Sequence, residues 1–315
     1  MLALLFPGQG AQEVGMGRDV YAASPAARAV FDAADDALGF SLSRLCFEGP
    51  EAELLRTEFQ QPAILTTSVA LLRALEAEIG VEPILLAGHS LGEYTALVAS
   101  GALAFDDAVR LVHARGRYMQ EAVPEGRGAM AAVLGAEPAL VEEACARAQR
   151  RTGRVVVPAN YNTPTQTVVA GDALAVEVAC SEARAAGARR ALPLSVSAPF
   201  HCPLMQPAAE KLAGELAQVG FGDSKPPVVT NVEAEPNAHG ARSRELLLAQ
   251  VTAPVRFVAM VQRMVELGVQ RVLEVGPGQV LCGLVGRIVP TLARESLAEV
   301  RDLPAAVRFV AGGEE

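Results

Sequence analysis

The stretch Ile84-Leu-Leu-Ala-Gly-His-Ser-Leu-Gly-Glu-Tyr94 limits the possible folds more than any other part of the chain. After Pro83 it opens as an apolar run long enough for a buried strand and too short for a core helix. It then tightens through Gly88-His89-Ser90-Leu91-Gly92 and continues to Ala99 as a helix that Gly101 can end. Strand, G-x-S-x-G and helix in that order make a nucleophile elbow, in which the serine hydroxyl is pushed out at the strand's C-terminal end. Side chains at Gly88 and Gly92 would collide with their neighbours in so tight a turn. Ser90 is therefore the candidate nucleophile. The N–H groups that follow it, at a helix N-terminus, face any oxyanion formed there. The plainer reading, a glycine-rich turn with an N-capping serine, loses weight because strand and helix are both legible around it.

Other apolar segments alternate with helical patterns, so a mostly parallel sheet with helices on both faces is expected. Residues 2 to 6 read as a first strand running into Pro7-Gly8-Gln9-Gly10. Glycines on both sides leave the Gln9 amide projecting near the strand's C-terminal end, where open α/β sheets bind ligands. Helices are expected over residues 24 to 38 and 50 to 79, with Gln61-Pro62 opening the helix before the central strand. A further helix starts at Phe105 and runs to about Val123. Its stripe Ala108, Leu111, Val112, Arg115, Met119, Ala122 has the spacing of a buried face. Arg115 thus sits on the wrong side for a surface charge, and burying a guanidinium unpaired is very costly. A structural ion pair, an arginine reaching the rim, or a clamp for a substrate carboxylate would each resolve this.

Residues 126 to 196 change character. A strand over 128 to 134 is followed by a helix over 137 to 151. Two strands, at 155 to 157 and 167 to 169, are joined through Asn160-Tyr-Asn-Thr-Pro164, and a helix over 172 to 186 leads to a strand over 190 to 196. The order βαββαβ is that of a ferredoxin-like unit. It reads as a small domain, 126–196, inserted into a large α/β domain formed by 1–125 and 197–315. Beyond it, 228 to 232 reads as a strand, 250 to 256 as a loop, 257 to 267 as a helix, 271 to 275 as a strand and 279 to 289 as a closing helix. The segment after Pro290 carries no distinct signal.

Composition excludes several classes. A chain of 315 residues, 51% of them hydrophobic, has ample material for a large core. A net charge of -9 with no basic run argues against nucleic-acid binding. Five scattered cysteines, an odd number without C-x-x-C, fit neither a disulfide framework nor a zinc site, and no metal is expected. The first apolar stretch lacks a basic flank and stops at Pro7, unlike a signal peptide, and no run approaches the roughly 18 residues of a membrane span. A cytoplasmic protein without membrane association is expected.

A serine needs a base within hydrogen-bond reach. Of four histidines, His89 must diverge from Ser90, His113 lies among helical residues and His239 in a polar turn. His201, in the rigid loop Ser197-Ala-Pro-Phe-His-Cys-Pro203, is the base by elimination. The third member of a triad is open. Asp106 and Asp107 read as helix starts and Asp172 as a cap, while a backbone carbonyl would serve equally as acceptor for Nδ1–H.

Pro7-Gly-Gln-Gly10, Gly88-His-Ser-Leu-Gly-Glu-Tyr94, Ala114-Arg-Gly-Arg-Tyr-Met119, Ala159-Asn-Tyr-Asn-Thr-Pro164, Ser197-Ala-Pro-Phe-His201 and Pro254-Val-Arg256 occur in that order. Together, from the first strand to about Ile288, they resemble the malonyl-CoA:acyl carrier protein transacylases. The resemblance implies an α/β-hydrolase-like large domain with a ferredoxin-like insert. It also implies ping-pong transfer of a malonyl group from malonyl-CoA to the phosphopantetheine thiol of an acyl carrier protein, in fatty-acid or polyketide synthesis. No metal or redox cofactor is implied, and a monomer is expected. By the same resemblance Ser90 would carry the acyl group and His201 would be its base. The N–H groups of Gln9 and Leu91 would form the oxyanion hole, and Arg115 would hold the malonyl carboxylate. The Gln250 carbonyl would orient His201, and Phe200 and Met119 would shape the acyl pocket, Phe200 crowding any α-methyl substituent. Relatives often carry lysine where this chain has Gln279 and Gly286, so Arg189, Arg190 and Arg287 remain as basic candidates to face an acidic carrier. Two rivals stand beside this reading. An acyl-enzyme hydrolase on the same scaffold gains nothing from Arg115, and a non-catalytic carrier-binding scaffold does not need Ser90, His201 and Gln9 together.

Overall fold

The apolar run Leu2–Phe6 forms β1 and is buried along its whole length, which requires cover on both faces of its sheet. The computed structural model describes residues 1–312. Leu2, Leu4 and Phe6 point into one core, Ala3 and Leu5 into a second. The further strands are β2 (Leu85–Gly88), β3 (Gly128–Leu134), β4 (Val156–Thr163), β5 (Gln166–Asp172), β6 (Arg190–Pro193), β7 (Val228–Val229), β8 (Pro236–Asn237), β9 (Arg271–Val275) and β10 (Ala293–Leu297). The large sheet has the order β10-β9-β1-β2-β7-β8 and is parallel except for β8. Helices Pro25–Leu38, Thr57–Glu78 and Phe105–Glu121 contribute to the first core, and Phe257–Glu266 and Val280–Ile288 to the second.

The second sheet, β4-β5-β3-β6, is antiparallel throughout. Its helices Pro138–Thr152 and Ala173–Ala185 cover one face, where Ala131, Val133, Val156 and Val169 are buried. The other face is not left to solvent. Met130, Ala132, Val168 and Ala170 join the core of the large domain. The edge strand β4 is also stitched to the large domain: the Val255 N–H donates to Ala159 O at 2.9 Å and the Tyr161 N–H to Val255 O at 2.9 Å, which occupies an otherwise open sheet edge.

Several sequence expectations are corrected. The helix expected over 50 to 79 is two, Glu51–Leu54 and Thr57–Glu78. Pro62 does not open the second but lies inside it, and the carbonyl that its missing N–H leaves free, that of Glu58, is within 2.8 Å of His113 Nδ1. Asn160 to Thr163 belong to β4 rather than to a connecting loop, with register shifts between Pro158 and Asn160 and between Tyr161 and Thr163. β6 stops at Pro193 and β7 at Val229, both shorter than expected. Gln250 ends the helix Gly240–Gln250 rather than starting a loop. The segment after Pro290 supplies β10 and the helix Leu303–Ala311. Among the described residues no helix is long and apolar enough to cross a membrane.

Register brings the functional loops together. Phe6 pairs with Gly88, so Pro7-Gly8-Gln9 leaves the sheet beside the Ser90 turn. The packing there is backbone on backbone: a Cβ on Gly8 would lie 2.4 Å from His89 O, on Gly88 2.0 Å from Gly92 O, and on Gly92 2.0 Å from Phe6 O. Gly92→Ala should therefore cost more than about 3 kcal/mol, because backbone cannot step aside. Gly214→Ala, inside the helix Gln206–Gln218 with nothing within 4 Å of the new methyl, should instead stabilise by up to about 1 kcal/mol. Thermal midpoints of the two variants would separate these outcomes, and equal shifts would refute the packing account.

Candidate active site

Ser90 follows β2 and precedes the helix Gly92–Ala99, with φ 52° in the left-handed region. A non-glycine residue stays there only when its surroundings hold it. Asn231 provides part of that hold. Its Oδ1 accepts from the Ser90 N–H at 2.6 Å, and its Nδ2 donates to Gly88 O at 2.7 Å.

Ser90 Oγ lies 2.7 Å from His201 Nε2, and His201 Nδ1 lies 2.8 Å from Gln250 O. A backbone carbonyl only accepts, so Nδ1 carries the ring proton and Nε2 presents its lone pair to the serine hydroxyl. The acceptor that was open in the sequence is thus a main-chain carbonyl, and among the described residues no carboxylate completes a triad. His201 also has a positive φ, 58°, and is 3% exposed. Burial, and then the Arg115 charge, pushes it down to about 3, which keeps the imidazole neutral.

Arg115 is 1% exposed on the inward stripe of its helix. It forms no salt bridge to a protein carboxylate among the described residues, nor does it reach the rim. Its guanidinium donates to Gln61 Oε1 at 2.7 Å, to Gln250 Oε1 at 2.9 Å and to Ser90 Oγ at 3.1 Å. A buried cation held by neutral oxygens and by the Tyr94 ring, whose centroid lies 5.4 Å from Cζ, and touching the nucleophile, leaves its charge available to an incoming anion. Glu93, 2% exposed, is reached through the Gln250 amide, whose Nε2 donates to Glu93 Oε2 at 2.7 Å. Burial pushes Glu93 up to about 7, opposed by the hydrogen bonds from Gln250 and Asn231 and by the Arg115 charge.

The remaining expected site residues fall as follows. The Gln9 side chain is held by Gln60 and Gln61, while the N–H groups of Gln9 and Leu91 have no protein acceptor among the described residues. Phe200, with Gln9, Ser90 and His201, lines a cleft of about 430 Å³ whose opposite wall is Met130, Asn160 and Val168 of the small sheet. Met119 does not line it; fully buried behind Gln61, its Sδ is 4.0 Å from Gln61 Nε2. His89 diverges from Ser90 as expected, its Nε2 2.9 Å from Asn162 Oδ1. Arg189, Arg190 and Arg287 meet around a separate hollow of about 310 Å³, whereas Gln279 lies elsewhere and Gly286 packs against the Arg294 guanidinium. A larger hollow, about 600 Å³, beside Asp19 and Pro277, contains none of the reacting groups. Among the described residues no cluster of three metal-ligating side chains occurs. Sequence reasoning missed Glu93 and Asn231. Glu93 could have been found as Arg115 was, as a charge inside an apolar helix; Asn231 offers no local signal.

The chain matches the acyl transferase domain family over residues 3–298. It is 49% identical over 307 residues to the malonyl CoA-acyl carrier protein transacylase of Escherichia coli, covering 98% of this chain and 99% of that one. The Bacillus subtilis protein of the same name is 45% identical, covering 98% and 96%. Among solved structures, the Coxiella burnetii malonyl CoA-acyl carrier protein transacylase superposes with a TM-score of 0.95 at 41% identity, covering 98% and 97%. A malonyl-transacylase in complex with its type II PKS acyl-carrier protein superposes with a TM-score of 0.94 at 45% identity, covering 98% and 99%.

The site predicts a histidine that does not titrate in the usual range. With its proton affinity depressed to about 3, His201 is already neutral throughout roughly pH 5–8. Its Cε1–H resonance, assigned by its loss in His201→Ala, should stay in place across that range. A full protonation shift centred near 6.5 would refute the burial argument.

Proposed function

This chain belongs to the malonyl-CoA:acyl carrier protein transacylases of the acyl transferase domain family, and we propose from that membership and the geometry above that it is an acyltransferase moving a malonyl group from malonyl-CoA to the phosphopantetheine thiol of an acyl carrier protein. Ser90 Oγ attacks the thioester carbonyl while its proton passes to His201 Nε2, 2.7 Å away. The oxyanion is received by the N–H groups of Gln9 and Leu91. His201, oriented by Gln250 O, returns the proton to the departing CoA sulfur, leaving malonyl-Ser90. The carrier's thiol then gives its proton to the same nitrogen and attacks the ester carbonyl, and His201 passes that proton to the departing Ser90 Oγ, restoring the free hydroxyl. Only proton transfers and two successive acyl transfers occur, so the chemistry calls for no metal or redox cofactor.

The observation that carries this reading is Arg115, with a guanidinium nitrogen 3.1 Å from Ser90 Oγ and no carboxylate among the described residues paired to it. In a malonyl group the carboxylate lies two bonds from the carbonyl under attack, within reach of a cation beside the nucleophile. An acyl-enzyme hydrolase acting on neutral acyl groups would bury that cation to no purpose. Phe200 on the cleft wall would disfavour an α-methyl substituent by about 1–3 kcal/mol, the usual worth of one methyl. For the carrier, Arg189, Arg190 and Arg287 around one hollow supply local positive charge against the chain's overall acidity. We place the enzyme in the cytoplasm as a monomer, serving fatty-acid or polyketide synthesis.

Intact mass after mixing with malonyl-CoA should show a malonyl adduct that is absent in Ser90→Ala and passes to a phosphopantetheinylated carrier. An adduct released as free acid at one rate with or without carrier would instead mark a hydrolase. Arg115→Ala should lower malonyl transfer by about a hundredfold or more while sparing acetyl transfer, because only the charged acyl group loses its partner. An unchanged malonyl-to-acetyl ratio in that variant would remove Arg115 from substrate binding.

A further inference from the structure

Glu93 sits one turn past the nucleophile, buried, and the roles assigned above leave it without one. Its Oε2 accepts twice, from Gln250 Nε2 at 2.7 Å and from the Asn231 N–H at 3.1 Å. Those same two residues grip both backbone groups of Ser90. Asn231 Oδ1 takes the Ser90 N–H at 2.6 Å, and Gln250 Nε2 donates to Ser90 O at 3.0 Å.

The Gln250 carboxamide is bound on both sides, and its orientation follows from chemistry alone. The Glu93 oxygen receiving two donors and the Ser90 carbonyl both act as acceptors, so Nε2 must face them. Oε1 is then left facing Arg115, which donates to it at 2.9 Å. Were the amide to turn over, two sets of N–H donors would meet, and the guanidinium would be driven from its place beside Ser90 Oγ. Gln250 thus serves three groups at once: its main-chain carbonyl orients His201, its Nε2 ties down Ser90, and its Oε1 aims Arg115.

We propose that Glu93 is a positioning residue for the selection of a carboxylated acyl group: its Oε2 locks the Gln250 carboxamide, and the locked Oε1 aims Arg115. This rests on the malonyl-transfer reading given above. A neutral acyl group makes no use of the guanidinium, so an unlocked amide penalises malonyl and spares acetyl. Glu93 touches neither substrate nor the reacting atoms, and its effect passes wholly through Gln250 and Asn231.

The test compares kcat/KM for acylation by malonyl-CoA and acetyl-CoA in the full chain. The ratio of the two cancels any loss of folded enzyme, which a merely structural role would produce. Glu93→Met removes the acceptor and should lower the malonyl-over-acetyl ratio about tenfold or more. Glu93→Gln, whose carboxamide oxygen can occupy the position of Oε2, should hold the ratio within about threefold. Equal losses for both substrates in Glu93→Met, or an unchanged ratio, would overturn the proposal. If Glu93→Met does not fold, Gln250→Met, which keeps the carbonyl that orients His201, should show the same fall, and an unchanged ratio there overturns it too. Where both fold, the double variant should fall no further than either single one, since the two act as one chain of contacts; additive losses would refute the coupling. A wild type with no preference for malonyl-CoA would overturn the malonyl reading itself, and the role of Glu93 with it.

Discussion

Close packing of backbone against backbone at the Ser90 turn is the constraint on which the site depends. The end of β1 presses on Gly92, the turn itself presses on Gly8 and Gly88, and no side chain fits in any of these places. Held in this way, Ser90 keeps a conformation it would not choose in isolation. The same contacts fix the distance from β1 to the elbow, where the N–H groups of Gln9 and Leu91 have no protein acceptor among the described residues. Preorganisation of this kind costs nothing at the moment of reaction, because the dipoles are already in place.

Around that frame the chain manages Arg115, Glu93 and His201 in one buried volume. Arg115 keeps its charge by surrounding itself with carboxamide and hydroxyl oxygens. Glu93 stands one amide away from it, and His201 remains neutral because burial and the neighbouring cation both resist a second positive charge. The balance is asymmetric. The carboxylate is separated from the cation by Gln250, so it tempers the charge without consuming it, and the open flank of the guanidinium faces the nucleophile. A direct Arg115–Glu93 pair would have satisfied both groups and left nothing for a ligand.

What could be read in the sequence follows the range of the interactions involved. Strand, elbow and helix were legible because the turn is decided within five residues, and the inserted βαββαβ unit because its periods change cleanly between elements. Arg115 was legible because a charge on an apolar stripe contradicts its own helix. The misreadings have a common cause in contacts distant along the chain. Pro62 is tolerated inside its helix because a residue 51 positions away, His113, faces the freed carbonyl. The Asn-Tyr-Asn-Thr segment has turn-like composition but is drawn into β4 by the main chain at Val255. β10 is a largely polar edge strand and gives no apolar run. The roles of Asn231 and Glu93 exist only once the segments around residues 90, 231 and 250 have met.

The small sheet bears on more than the width of the cleft. A Cβ on Gly128, where the chain passes into the inserted unit, would lie 2.4 Å from the ring of Pro199, where it returns. The two crossings touch, so the helix before the unit and the histidine loop after it are set side by side. The cleft's outer wall comes from this unit, while nucleophile, base and cation all come from the large domain. The inserted unit therefore adds a wall to a cleft whose selectivity is also set by Phe200 and Arg115 of the large domain. Single residues of that wall can be recut with the acid–base machinery left standing, whereas exchanging the whole unit would uncover the core at Met130, Ala132, Val168 and Ala170 and break the backbone bonds to Val255.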